Sequence, residues 1–206
     1  MGLADIGFIS LRSAYFAMLV VVSLLAAVLF LPADLATYKQ GLKQAALFNS
    51  NHYFSDFGDY FAPANHEQPL LHTWSLAVEI QFYLLAPLLV LLLPSKLLKW
   101  LFAALLIFPT AVAEYRLRIL GIEQATYYSL YARLPEFLAG GLLAMYLHRG
   151  GVGGAAWFGS SGVVLIMVSA ILQPQLGHFP GLPALLPVAG ALLVLSQPAQ
   201  GPVGQL

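Results

Sequence analysis

Six stretches of this chain are apolar for long enough to cross a bilayer, or nearly so, and nothing else constrains its fold as strongly. A hydrocarbon core ~30 Å thick takes about 20 mostly apolar helical residues at a rise of about 1.5 Å each. Residues 14–31 and 155–172 are uncharged runs of 18. Residues 76–93 are interrupted only by Glu79 and Gln81 and closed by Pro94. Residues 100–113 are shorter, but Leu97, Leu98 and the aliphatic stem of Lys99 extend them. Residues 130–147 are apolar apart from Arg133 and Glu136, and residues 182–196 hold Pro183 and Pro187. Pro32, Pro94, the glycine-rich 150–154, Pro174 and Pro198 fall between these runs and read as breakers. The expected fold is therefore all-α: a polytopic membrane helix bundle of about six spans, forming one domain over residues 1–206.

Composition narrows the function classes. Charged residues make up 9% of the chain and apolar ones 60%, against about 25% and 45–50% in an average soluble domain. Nine basic and nine acidic residues cancel, so no basic excess is present to hold nucleic acid. With no cysteine, a disulfide framework, a Cys-based zinc site and a thiol nucleophile are excluded. The first apolar run exceeds a signal-peptide core of about 7–15 residues and reads as a retained helix. Basic residues divide evenly, with Arg12, Lys96, Lys99 and Arg149 on one side and Lys39, Lys43, Arg116 and Arg118 on the other, which balances the positive-inside rule. The connection 32–75 mixes Asp34, Asp56, Asp59 and Glu67 with lysine, histidine and aromatic residues, and reads as a folded surface layer or cavity wall. Within it, residues 44–54 are too short to span and read as a re-entrant or short interfacial helix.

A charge near the middle of a membrane helix costs at least ~2.5–3.5 kcal/mol on insertion scales, so each needs a partner or a wet cavity. Glu79, Arg133 and Glu136 are the three such cases. They read either as ion pairs that fix packing or as the lining of a polar cavity between the second and fourth spans. In residues 69–83, Ser75 or Thr73 is placed to cap the incoming helix. If that helix starts early enough, His72, Ser75 and Glu79 share one face, with Tyr83 a turn beyond. Such a face suits proton transfer, because an imidazole and a carboxylate set one another's protonation. Trp74 reads as an interfacial anchor. Downstream, Arg133 and Glu136 are i, i+3 neighbours able to pair, Pro135 belongs to a first turn or a kink, and Ala139, Gly140 and Gly141 would let another helix approach. A guanidinium there suits a carboxylate or phosphate, which it can grip with two hydrogen bonds. His52, His66, Asp56, Asp59 and Glu67 show no metal-ligand spacing, so no metal is expected. His148 with Arg149 reads as a helix-terminal cation pair, and His178 as a solvated loop residue.

The segment Pro69-Leu-Leu-His-Thr-Trp-Ser-Leu-Ala-Val-Glu-Ile-Gln-Phe-Tyr-Leu-Leu-Ala-Pro87 resembles the signature of the acyltransferase-3 family of bacterial membrane O-acetyltransferases. Leu47-Phe-Asn-Ser-Asn-His-Tyr-Phe54 is similar to the stretch that precedes it, and Arg133-Leu-Pro-Glu-Phe-Leu-Ala-Gly140 to a later Arg-x-x-Glu-Phe-x-x-Gly segment. The similarity covers roughly residues 11–150, the last two spans being compatible in hydropathy. It implies a multi-pass enzyme of the bacterial inner membrane that moves an acyl group, usually acetyl from acetyl-CoA, to a hydroxyl of a cell-envelope carbohydrate. By position, His72, Trp74, Ser75 and Glu79 belong to the signature, and Arg133 and Glu136 to the second segment. The resemblance also implies that the family's first helices, with an Arg and a His about ten residues apart, and its final ones lie outside this sequence.

The expected catalytic residues are thus Glu79, His72 and Ser75. Arg133, Glu136, Trp74 and Tyr83 are expected to bind acyl-CoA or the carbohydrate acceptor. Three competing readings are an inactive fragment of such an enzyme, a transporter of glycans or lipid-linked saccharides, with Glu79 and Arg133 lining the path, and a noncatalytic membrane scaffold in which both sites are packing pairs.

Overall fold

The computed structural model describes residues 3–56, 68–148, 153–155 and 157–197. Asp59, His66, Glu67, Arg149 and Pro198, together with part of the 150–154 glycine run, lie outside these. Every described element is helical: α1 Leu3–Leu29, α2 Pro32–Ala46, α3 Ser50–Ser55, α4 Thr73–Leu92, α5 Ser95–Arg118, α6 Glu123–Tyr127, α7 Leu130–His148, α8 Phe158–Leu176 and α9 Leu185–Leu195, the last preceded by a 3₁₀ turn at Leu182–Ala184. Thr73–Leu92, Lys96–Arg118 and Phe158–Leu176 are long and apolar enough to cross a membrane, and Ser13–Leu29 and Leu182–Leu195 are shorter apolar helices. The chain divides into two compact units, Met1–Gln81 and Phe82–Leu206.

In the N-terminal unit the connection read as a surface layer contains a complete helix. Pro32 at the first position of α2, Asp34 in its first turn and Lys43 in its last suit the helix ends and dipole. Tyr38, Gly41 and Ala45, at i, i+3 and i+7, form its buried face. That face meets α1, where Tyr15 Oη donates to Ala45 O at 2.9 Å and Ser23 Oγ lies 2.8 Å from Tyr38 Oη. Residues 44–54 do not form one element: α2 ends at Ala46, Phe48 takes a positive φ of 53°, and α3 restarts at Ser50. Gln81 ties this corner down, its Nε2 donating at 2.9 Å to both Phe48 O and Asn51 Oδ1. Asn51 is fully buried. Gln81→Ala removes the shared donor and is expected to cost about 1–3 kcal/mol, checked by the unfolding midpoint of the detergent-purified chain.

In the C-terminal unit α5 and α7 pack through Leu98, Phe102, Leu134 and Leu138, with Phe82 stacked on Phe137 at 4.8 Å. α5 runs past the expected 100–113 to Arg118, so Arg116 and Arg118 are helical, not loop residues. An i, i+4 ion pair between Glu114 and Arg118 and two cations in the last turn favour that extension. α8 likewise runs through Pro174, where a chain break was expected, and stops at Gly177, whose φ of 97° suits glycine. Close helix approach occurs at Gly162 and Gly190, whereas a Cβ on Gly140 or Gly141 would meet nothing within 4 Å; of the expected 139–141 only Ala139 is buried.

Candidate functional site

The signature segment enters α4 differently from the expected cap. Thr73 Oγ1 donates to Leu70 O at 2.7 Å and Ser75 Oγ to His72 O at 3.2 Å, so both hydroxyls act as donors to the preceding turn. Backbone bonds Thr73 N–H to Leu70 O and Trp74 N–H to Leu71 O wind that turn tightly. His72 directly precedes α4 and is exposed, as is Ser75, while Glu79 is half-buried two turns into the helix. Ser75 therefore meets His72 through its carbonyl. Trp74 is 8% exposed, so its ring is buried in the protein, where an interfacial anchor would present it at the surface. Tyr83, on the part of α4 belonging to the C-terminal unit, is exposed.

The second segment forms a denser constellation. Arg133 Nη1 lies 3.1 Å from Glu136 Oε1, with side-chain exposures of 12% and 26%, so the i, i+3 pair exists and is partly withdrawn from solvent. Arg133 Cζ sits 4.9 Å from the ring centroids of both Tyr127 and Phe179. Those rings are 6.3 Å apart and tilted by 55°, and so make a corner around the guanidinium. Pro135 is the sixth residue of α7, and the helix continues through it beyond the first turn. Lacking an N–H, Pro135 gives no helical bond to Tyr131 O.

Three connections converge on this end of the C-terminal unit: the end of α5 with α6, the start of α7, and the loop 177–184. Arg116 Nε donates to Thr126 Oγ1 at 3.3 Å and its Cζ lies 5.8 Å from the Tyr131 ring. Thr126 is fully buried and its hydroxyl donates to Ile122 O at 2.6 Å. Glu114, paired with Arg118, also accepts the Leu182 N–H at 3.0 Å. His178 is solvated, as its loop position predicts, and its Nδ1 lies 2.7 Å from Glu123 Oε1, the two side chains being 49% and 60% exposed. Beside this end opens an apolar cleft of about 580 Å³ bordered by Leu106, Ile107, Ala111, Glu114, Arg118 and Leu182, a size within the ~300–1,000 Å³ typical of ligand pockets. His148 closes α7 and is exposed. Among the described residues no three His, Asp or Glu side chains gather as a metal group.

Sequence reasoning missed Glu114, Tyr127 and Phe179. The Glu114–Arg118 spacing was a readable helix pair, whereas Tyr127 and Phe179 become neighbours of Arg133 only through tertiary folding.

Three described helices long and apolar enough to cross a membrane, with a polar cluster around Arg133 at one end of the C-terminal unit, fit a helical membrane protein. The profile of the acyltransferase-3 family, described as an acyltransferase domain, matches residues 8–199, and the chain belongs to that family. The match runs through α8 and α9, further than the resemblance over 11–150. A protein of Haemophilus influenzae, described as "Uncharacterized protein", is 33% identical over 142 residues. That alignment covers 65% of this chain, and the chain spans 58% of that protein's length. No solved structure matches the chain.

Proposed function

We propose that this chain takes part in moving an acyl group, acetyl in the simplest case, from acyl-CoA to a hydroxyl of a cell-envelope carbohydrate in a bacterial inner membrane. In this reading six helices cross the bilayer: α1, α4, α5, α7, α8, and α9 with its 3₁₀ turn, all within one functional domain. The observation that carries it is the Arg133 corner, a cation held by two rings and a carboxylate within a chain of an acyltransferase family.

Acyl transfer from a thioester joins the acceptor oxygen to the carbonyl carbon and breaks the carbon–sulfur bond. The acceptor proton must leave, negative charge gathers on the carbonyl oxygen, and the CoA thiolate departs. Cationic or N–H donors aimed at that oxygen, or at the donor's phosphates, favour the transition state. Arg133 fills that role, with Glu136 holding its fork in place. The apolar cleft beside Glu114 and Arg118 offers a lining for the uncharged acyl arm. Glu79 orients or assists the group that takes the acceptor proton, and His72 and Ser75 stand at the entrance of the same helix. Trp74 and Tyr83 are assigned to substrate binding in this reading.

The test is ester acetate on envelope glycans from bacteria making the chain or its Glu79→Ala variant. Acetate present with the parent chain and reduced at least about tenfold by Glu79→Ala, in line with the ~10²–10⁴-fold worth of acid–base groups, supports the reading. Equal acetate with and without the chain contradicts it.

A further inference from the structure

The loop between α8 and α9 is tied to the Arg133 end at three points. His178 meets Glu123 of α6 at 2.7 Å, the Leu182 N–H meets Glu114 of α5 at 3.0 Å, and the Phe179 ring centroid lies 4.9 Å from Cζ of Arg133 in α7. Three helices therefore touch one short loop, and the loop returns one aromatic ring to the arginine. A guanidinium is attracted to a ring face, and the ring also denies it the rotamers that would pass through the same space. The Tyr127 ring lies at the same 4.9 Å, and the two rings are 6.3 Å apart, so from Cζ they stand at roughly a right angle to each other. Two rings so placed, their planes tilted by 55°, with Glu136 at 3.1 Å from Nη1, define where the fork of a long, many-rotamer side chain rests.

We propose that Phe179 is a positioning residue for Arg133, and that through it the loop 177–184 is part of the arginine site. The proposal rests on Arg133 being the group that holds the acyl donor. Phe179 contacts no reacting atom in this account. It holds the guanidinium where the donor's oxygens arrive, so its loss acts on donor affinity through Arg133.

The experiment uses the full chain purified in detergent, with acetyl-CoA as the probe. Binding is measured by calorimetry for the parent chain, Phe179→Leu, Phe179→Tyr, Arg133→Gln and the Phe179→Leu/Arg133→Gln double variant, with an unfolding curve for each. Phe179→Leu keeps an apolar side chain but no π face, and is expected to weaken binding roughly two- to thirtyfold. Phe179→Tyr keeps the face and is expected to stay within about twofold of the parent. The double variant is expected to bind no more weakly than Arg133→Gln alone, because both changes act on one interaction. A merely structural role would lower the unfolding midpoint of Phe179→Leu without this pattern. Unchanged affinity in Phe179→Leu, or an additive loss in the double variant, overturns the proposal. If the parent chain binds no acetyl-CoA, the donor reading of Arg133 fails. The positioning role falls with it, because Phe179 is argued to act on donor affinity, whereas a parent chain that binds and a Phe179→Leu variant that binds equally well overturn the positioning role alone.

Discussion

Arg133→Gln is expected to reduce acyl transfer about 10²–10³-fold, the usual consequence of removing one transition-state donor, while the chain still inserts and folds. Glutamine keeps much of the length and an amide donor but loses the charge and the planar fork. The contact with Glu136, now 3.1 Å, becomes a neutral amide–carboxylate bond at best, and the attraction to the Tyr127 and Phe179 rings at 4.9 Å disappears. The amide that replaces the guanidinium leaves Glu136 one donor, so its carboxyl need not be left unpaired and the unit need not unfold. Arg133→Lys should recover part of the rate, because an ammonium keeps the charge as a point but cannot form two parallel bonds. The measurement is acetyl-CoA turnover by membranes with matched amounts of each variant, alongside the unfolding midpoint of each. A rate loss equal to the loss of folded protein would show that the arginine is only a packing cation.

The second large effect is structural. A Cβ placed on Gly162 of α8 would lie 2.5 Å from Gly190 O and 2.8 Å from Val194 Cγ2. One placed on Gly190 of α9 would lie 2.8 Å from Gly162 O and 2.7 Å from Ile166 Cγ1. The nearest obstacle to Gly162 is backbone, which cannot swing aside as a side chain can. Gly162→Ala should therefore push the helices apart and cost about 1–3 kcal/mol, as overpacked cores do. The ~1 kcal/mol that alanine gains over glycine in helix propensity does not offset the upper part of that range. Gly162→Leu is expected to prevent α8 and α9 from packing and to leave little folded protein. Gly140→Ala is the control: with open space around its Cβ, it should be neutral or stabilising by up to about 1 kcal/mol. Detergent unfolding midpoints check all three, and equal tolerance of alanine at 162 and 140 would contradict the packing described.

These results show what apolar spacing reveals and what it hides. Each of the six expected runs corresponds to a helix, because bilayer-length hydrophobicity and the need to satisfy backbone polar groups leave few alternatives. The errors fall at the ends and between the runs. α5 continues past the apolar run through Glu114, Arg116 and Arg118, because the i, i+4 pair and the helix dipole favour extension. α2 carried a readable start in Pro32 and Asp34 and a readable buried face in Tyr38, Gly41 and Ala45, but its polar composition hid it beside the membrane runs. The glycines at 140 and 141 looked like a helix contact, and only the partner's position reveals that Gly162 and Gly190 are the true ones. Arg133 and Glu136 could be paired from spacing alone. Their aromatic corner could not, since Tyr127 precedes α7 on a separate short helix and Phe179 arrives from a loop beyond α8.

In the proposed function the Arg133 corner serves acyl transfer from a CoA thioester. That role is tested most directly by following free CoA thiol released from acetyl-CoA in membranes containing the chain and an envelope glycan acceptor. Release that depends on both chain and acceptor, and falls about 10²–10³-fold in Arg133→Gln, is the predicted result. Release that is the same with or without the folded chain, or that survives Arg133→Gln undiminished, would contradict it.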